Sequence, residues 1–314
     1  MPLLTELTRR VNYHECDVNQ MVRDACYLRY MQEAAFEASA AAGYWEDRYQ
    51  AMRRIWLIRE SAVDFVEPLR YGDSVRVRTW VADFRRVRSR RAYELWAIKT
   101  DGPIGYVQGE RDADRLVARA YTDWVFLDLD TGRPALIPDE VIAAFFPDQS
   151  PGEAESRARF PAAPPPPPGV FTQHRQVEWR DLDSVGHVNN AAYGDYVEDA
   201  ARQAASACGW PASRMAETGF DLATRQLRIE YRQQARPGDE LVVSTWLSEV
   251  TEQGGHRHTT VARAGDGEML AQAYAAWGCV DVKKRARIAI PPELADDLSP
   301  YVAALPNHSE DSLA

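Results

Sequence analysis

Trp179-Arg-Asp-Leu-Asp183-Ser-Val-Gly-His187-Val-Asn-Asn190-Ala-Ala-Tyr193-Gly-Asp-Tyr196 is a polar loop leading into a helical stretch, and the chain carries a version of it twice. The earlier copy is Tyr13-His-Glu-Cys-Asp17-Val-Asn19-Gln-Met21, followed by Tyr27-Leu-Arg-Tyr30. Asp17 is matched by Asp183, Tyr27 by Tyr193, Tyr30 by Tyr196 and Gly43 by Gly209, each 166 residues on. The register holds without a gap through Gly72-Asp73 and Gly238-Asp239 to Thr79-Trp80 and Thr245-Trp246. Chance does not keep one register over such a span, and an internal repeat sets architecture before any single motif does. Two copies are too few for a solenoid. They imply a fused pseudo-dimer, in which two modules meet as the subunits of a symmetric homodimer would.

Working outward, Tyr27, Tyr30, Met31 and Ala34 recur at three- and four-residue spacing, as do Tyr193, Tyr196, Val197 and Ala200. That spacing predicts helices over roughly Cys26 to Ala42 and Ala191 to Cys208, with Gly43 and Gly209 where C-caps belong. Short strands are predicted before each loop, at Arg10 to His14 and Val177 to Arg180. Further strands follow each helix: Ala62 to Val66, Val75 to Thr79, Arg91 to Lys99 and Ala118 to Leu127 in copy one. Their counterparts are Leu227 to Tyr231, Leu241 to Trp246, His256 to Arg263 and Ala271 to Val280. Trp124 and Trp277 align at an offset of 277 − 124 = 153, so copy one carries 166 − 153 = 13 extra residues. They fall at Asp101 to Asp114 and read as a longer hairpin loop. One helix followed by about five antiparallel strands, twice, is an α+β plan. The boundaries are 1–146 for the first module, 147–169 for a linker with five consecutive prolines, 170–304 for the second module and 305–314 for a polar, disordered tail.

Bulk properties exclude several classes. The 314 residues hold 45% hydrophobic and 27% charged residues, with a net charge of −10. That composition belongs to an ordinary globular chain. An acidic chain is a poor nucleic-acid binder, because phosphate contacts need a basic face. No apolar run approaches the length that spans a bilayer, and the N-terminus lacks the apolar core of a signal peptide. Cys16, Cys26, Cys208 and Cys279 show neither metal spacing nor a disulfide framework, so the expected setting is the cytoplasm, with reduced thiols.

The loop motif resembles that of the hotdog-fold thioesterases, where an Asp and a short turn precede Gly/Gln-His-Val-Asn-Asn-x-x-Tyr at the start of a central helix. Copy two is similar to acyl-CoA thioesterases of the 4-hydroxybenzoyl-CoA thioesterase type. The Asp17-Val-Asn-Gln string of copy one is similar to acyl-acyl carrier protein thioesterases, which are themselves two fused hotdog modules. The resemblance covers the chain apart from linker and termini. It implies two hotdog modules, each an antiparallel sheet wrapped around a central helix. It also implies an acyl-CoA or acyl-carrier-protein substrate, no cofactor and no metal; a homodimer of pseudo-dimers is compatible with it.

The residue types suit that chemistry. A carboxylate can activate water or attack a thioester itself, and free N–H groups at a helix start can hold the developing oxyanion. The resemblance assigns the base or nucleophile role to Asp183 and Asp17. His187 and Asn19 join them as polar partners, and Asn189, Asn190 and Tyr193 are the expected substrate contacts. Against this stands the plain alternative that a loop Asp, His and Asn pair only hold a turn and cap a helix. The copies also depart from the plant-type pattern: Val185 stands where an Asn belongs, Gln234 where a Glu belongs, and Met21 where a His belongs. Glu33, Glu198 and Asp199 are runner-up bases on the helices. Arg85, Arg86, Arg88, Arg90 and Arg91 form a basic cluster that suits coenzyme A phosphates or an acidic carrier, or that merely alternates along an exposed strand. Cys16 adjoins Asp17 but has no His partner. Trp80, Trp124, Trp246 and Trp277 read as core. Two competing functions remain: a protein that binds acyl thioesters without hydrolysing them, and, less favoured, a hotdog dehydratase or hydratase.

Overall fold

Each copy folds into a sheet with the same strand order. The computed structural model describes residues 1–98, 114–148 and 156–304. Nearly all of the expected long hairpin loop, seven linker residues and the tail lie outside the described residues. The chain divides into two units: Met1–Arg159 with Asn189–Asp195 and Leu227–Arg232, and Phe160–Val188 with Tyr196–Gln226 and Gln233–Ala314.

In the first unit the elements are β1 (Thr5–Arg10), α1 (Asp24–Ala41), α2 (Glu46–Ala51), β2 (Arg54–Phe65), β3 (Ser74–Arg85), β4 (Arg88–Ile98), β5 (Arg115–Asp128) and α3 (Asp139–Phe145). The strand order is β1-β3-β4-β5-β2, with every pair antiparallel. The rest of the chain supplies β6 (Phe171–Gln176), α4 (Asn190–Ala207), α5 (Ala212–Thr218), β7 (Phe220–Tyr231), β8 (Glu240–Thr251), β9 (Gly254–Arg263), β10 (Met269–Asp281), β11 (Ala286–Ile288) and α6 (Pro292–Leu298). Here the order is β6-β8-β9-β10-β7, the first unit's order repeated. Among the described residues, no helix is long and apolar enough to cross a membrane.

Sequence alternation explains the strands. Along β4 the burial alternates residue by residue, so Ser89, Arg91, Tyr93, Leu95 and Ala97 face inward. The helices are lined with small residues: Ala25, Ala34, Ala35 and Ala38 on α1, and Ala191, Ala192, Ala200, Ala204 and Ala205 on α4 are all buried. Small side chains let a sheet curve closely around one helix. Tyr27 ties the two together, because its buried hydroxyl accepts the Leu69 N–H at 2.9 Å. Both helices end in the same way. The N–H of Gly43 donates to Ala40 O at 2.8 Å and that of Tyr44 to Ser39 O at 2.9 Å; Gly209 and Trp210 bond Ser206 O and Ala205 O at 3.0 and 2.9 Å. This is the double bond pattern of a Schellman cap.

Three expectations need correction. The strands expected at Arg10 to His14 and Val177 to Arg180 lie upstream, as β1 and β6, and the expected segments become short 3-10 turns at Tyr13–Glu15 and Trp179–Asp181. The cause is a buried carboxylate three residues on: Glu15 accepts the Asn12 N–H at 2.6 Å and Asp181 accepts the Glu178 N–H at 2.9 Å. The second strands are also longer than expected, starting at Arg54 and Phe220. Finally, four short helices were not expected. α3 and α6 begin 153 residues apart, the offset of the late strands, so they belong to the repeat. Each buries only two side chains, Val141 and Phe145 or Leu294 and Leu298, too few for a visible period. The described linker residues are anchored: Arg157 pairs with Asp83 at 2.5 Å and Asp123 at 3.5 Å, and Trp246 Nε1 donates to Pro164 O at 3.1 Å.

Gly194, the fifth residue of α4, meets α1 closely. A Cβ there would lie 2.9 Å from Leu28 Cδ1, 3.1 Å from Ala25 Cβ and 3.2 Å from Ala25 Cα. Overpacking at such a contact costs about 1–3 kcal/mol. Gly194→Val is therefore expected to lower stability by about that amount, read as an earlier midpoint in urea unfolding, whereas Ser184→Val on the exposed loop leaves the midpoint in place.

Candidate functional site

In both copies the chain leaves its 3-10 turn, bridges to itself and enters the central helix. The bridges join Cys16 to Val22 and Leu182 to Val188. Inside them the backbone bonds correspond one for one. Asp17 N–H donates to Met21 O at 2.8 Å and Gln20 N–H to Asp17 O at 3.0 Å; Asp183 N–H donates to His187 O and Gly186 N–H to Asp183 O, both at 3.0 Å. The last turn residue has a left-handed backbone, φ 62° at Gln20 and φ 78° at Gly186. Glycine adopts that conformation freely, while Gln20 holds it at a steric cost of about 1–2 kcal/mol.

The Asp side chains close these turns. Asp17 Oδ1 accepts the N–H groups of Asn19 at 2.8 Å and Met21 at 2.9 Å. Asp183 Oδ1 accepts the Val185 N–H at 3.0 Å, and among the described residues its Oδ2 accepts no hydrogen bond. These are Asx-turn bonds, so the structural role that the sequence left open is present in both copies. Asp17, Asn19, Asp183 and His187 are all half-buried. No described hydrogen bond engages the His187 ring.

The expected substrate contacts at the start of α4 are already occupied. Asn189 is the helix cap: its Oδ1 accepts the Ala191 N–H at 2.8 Å and its carbonyl the Ala192 N–H at 2.9 Å. The carbonyl of Asn190 accepts the Tyr231 hydroxyl at 3.1 Å. Tyr193 is 2% exposed and meets the Tyr231 ring edge-on, with centroids 5.6 Å apart. The structure thus groups the seven residues into the Asp183/His187 loop, the Asp17/Asn19 loop, and three residues that build the entry to α4. Tyr231 escaped the sequence reading, which placed it only at the end of a predicted strand.

The weaker candidates separate by exposure. Glu33 and Asp199 are exposed, and Asp199 lies 3.5 Å from Arg175. Arg85, Arg86 and Arg88 are exposed, but Asp123 holds Arg90 through two bonds at 2.8 and 2.7 Å, and Arg91 is buried. Burial, with Asp17 beside it, pushes the Cys16 thiol up to about 11, which leaves no thiolate for nucleophilic attack near neutral pH. Among the described residues no cluster of His, Cys, Asp and Glu is arranged to hold a metal ion.

The profile of the thioesterase-like superfamily matches residues 11–145 and 177–298, one match per copy. The acyl-[acyl-carrier-protein] hydrolase FATB2, chloroplastic, of Cuphea viscosissima is 27% identical over 175 residues, which are 53% of this chain and 39% of the relative. The chain therefore spans about two fifths of that relative's length. The long-chain acyl-CoA thioesterase FadM of Escherichia coli (strain K12) is 25% identical over 130 residues, 40% of this chain and 96% of the relative. Among solved structures, an acyl-ACP thioesterase from Bacteroides thetaiotaomicron superposes with a TM-score of 0.63 at 19% identity, covering 87% of this chain and 97% of that one. At that identity the likeness speaks for the fold, two hotdog modules with α1 and α4 as their central helices.

If Asn189 acts as a cap, Asn189→Ala should cost about 0.5–2 kcal/mol of stability, and Asn189→Asp or Asn189→Ser should restore most of it. Differential scanning calorimetry on the three variants reads this directly. An unshifted midpoint in Asn189→Ala would remove the cap assignment.

Proposed function

The chain belongs to the thioesterase-like superfamily, and from that premise we propose that it hydrolyses an acyl thioester of coenzyme A or of acyl carrier protein, releasing a fatty or related carboxylic acid and a free thiol. The observation that carries this reading is the Asp-bearing turn placed just ahead of a central helix in both copies. The named activities of the two curated relatives supply the two carrier types.

In the proposed reaction Asp183 draws a proton from water as it attacks the thioester carbonyl, or attacks the carbonyl itself and is then released by water. The Val185 N–H fixes Asp183 Oδ1 and so orients Oδ2 for this work. The negative charge that develops on the carbonyl oxygen needs donors already in place. Eight and nine residues along the chain from Asp183, the Ala191 and Ala192 amides are bound to Asn189. Among the described residues the Asn190 N–H has no acceptor, which makes it the donor offered at the positive end of α4. His187 either polarises the carbonyl or holds the water. Copy two is favoured over copy one because Met21 stands where His187 does, and because Asp17 Oδ1 already takes two backbone donors. Copy one then acts as scaffold.

One observation favours a second reading. Both aspartates already hold their own turns, so a protein that binds acyl thioesters without cleaving them would keep the same bonds.

Thiol release from acyl-CoA and acyl-carrier-protein substrates of several chain lengths distinguishes the two. Asp183→Asn retains an acceptor for the Val185 N–H, so the turn survives while the base is lost. We expect its kcat/KM to fall by about 10²–10⁴-fold and that of Asp17→Asn to fall by less than about tenfold. Full turnover in Asp183→Asn would overturn the site assignment, and tight binding with no thiol released by the wild type would favour the binding protein.

A further inference from the structure

Two consecutive positions of the central helices meet their own repeat mates. Leu28 of α1 and Gly194 of α4 are 166 residues apart, as are Arg29 and Asp195. Arg29 donates to both carboxylate oxygens of Asp195, one of these bonds at 3.4 Å, and Arg23 adds an ion pair at 3.8 Å. One residue earlier, a Cβ on Gly194 would come within 2.9 Å of Leu28 Cδ1 and 3.2 Å of Ala25 Cα. All of these residues belong to the first unit, which takes Asn189–Asp195 and Leu227–Arg232 from copy two.

Identical subunits paired about a two-fold axis present a residue on that axis to itself, and elsewhere residue i to j wherever j meets i. Positions 28 and 194, and 29 and 195, meet in that self-facing way, yet neither pair is alike. One sets a branched side chain against no side chain; the other sets a cation against a carboxylate. Two of copy one would place Leu28 against Leu28, where even a Cβ is crowded, and Arg29 against Arg29. Two of copy two would place Gly194 against Gly194, leaving a gap, and Asp195 against Asp195. Like charges in contact repel, and a gap forfeits packing.

Strands β2 and β7 carry the same asymmetry. Glu60 on β2 is 9% exposed and accepts Arg228 Nε at 2.8 Å and the Tyr121 hydroxyl at 2.7 Å. Arg228, on β7, is equally buried. The repeat mates of these two residues are Gln226 and Ala62. If copy one met its own kind, Ala62 would stand where Arg228 does, and the buried carboxylate would lose its countercharge. Removing one partner of a buried ion pair is strongly destabilising.

We propose that this contact surface admits only the unlike copy: copy one accepts copy two and rejects a second copy one, and copy two rejects its own kind. The linker alone does not impose that choice, because two identical modules on one chain could pair equally well with the modules of a neighbouring chain. Size, charge and buried countercharge all direct each module to the other kind. None of these side chains belongs to the Asp183 loop, so the inference stands or falls independently of the proposed hydrolysis.

The test places copy one's residue at the matched position of copy two in the full chain, one position at a time: Gly194→Leu, Asp195→Arg and Arg228→Ala. Each reproduces one feature of like pairing and should lower the urea midpoint. Each is then combined with a change at the facing position: Leu28→Ala, Arg29→Asp and Glu60→Gln, the last two being copy two's own residues. Coupling between groups in contact is on the order of 2- to 150-fold in the folded-to-unfolded ratio. Each double variant should exceed the product of its single effects by a factor in that range, and Arg29→Asp with Asp195→Arg should recover most of the midpoint lost by either alone. Losses that simply multiply at either charge exchange, Arg29 with Asp195 or Glu60 with Arg228, would overturn the proposal. Should Gly194→Leu fail to fold, the two charge exchanges decide it.

Discussion

A single helix has to fill the concave face of a five-stranded sheet, and the rest of each module follows from that. A helix that presented large side chains all round would hold the sheet away; one of alanines alone would bury too little apolar surface to fix its position. α1 and α4 resolve this with alanines on the buried face and a few tyrosines among them. Tyr27 gives the clearest case, since its ring packs 5.0 Å from Phe65, edge to face, while its hydroxyl holds the Leu69 N–H. That bond fixes the helix along its axis as well as against the sheet. A buried N–H left without it would cost about 1–3 kcal/mol. Tyr27 and Tyr193 are thus explained by the fold, which is why a tyrosine that recurs in the family motif is enclosed by protein.

The same requirement makes the loop before the helix a precise object. The chain must leave the edge strand, reverse and enter the sheet's interior within about a dozen residues. A buried acidic side chain turns it first, at Glu15 and Asp181. The Asx turn at Asp17 or Asp183 turns it again. A left-handed residue, Gln20 or Gly186, completes the reversal. Because the backbone bonds recur atom for atom, the loop tolerates exchange of its side chains. Met21 and His187 occupy one backbone position with different chemistry. The helix entries differ too, with the Asn189 side chain capping α4 and no side-chain cap from Arg23 on α1. A shared scaffold with divergent polar groups lets the two loops differ in chemistry while keeping one fold.

Much of this was legible in the sequence because the repeat is ungapped where geometry is strictest. The offset of 166 runs through loop, helix and early strands. Helix limits were within two residues, since period and C-terminal glycine agree. The short helices were invisible because seven residues with two buried side chains carry no period. The edge strands were misplaced because Asn12 and Glu178 begin local turns whose acidic partners look, in sequence, like ordinary polar strand residues. For the site, spacing brought Asp183 and His187 into one loop. It could not separate a cap from a contact at Asn189, because both uses favour the same side chain.

Arg91 shows most clearly where one-dimensional reading stops. Among Arg85, Arg86, Arg88 and Arg90 it looked like one more member of a basic surface patch. Strand alternation turns it inward and leaves Arg88 and Arg90 on the other side. Its repeat mate Arg257 stands without a neighbouring arginine cluster, and aligning the two copies is enough to single out the pair. What alignment cannot supply is the consequence of exchanging Phe145 for Leu298. A buried charge needs a partner in either copy. The repeat fixes the architecture through what its copies share, and the copies differ in chemistry where matched positions carry different side chains, as Phe145 and Leu298 do.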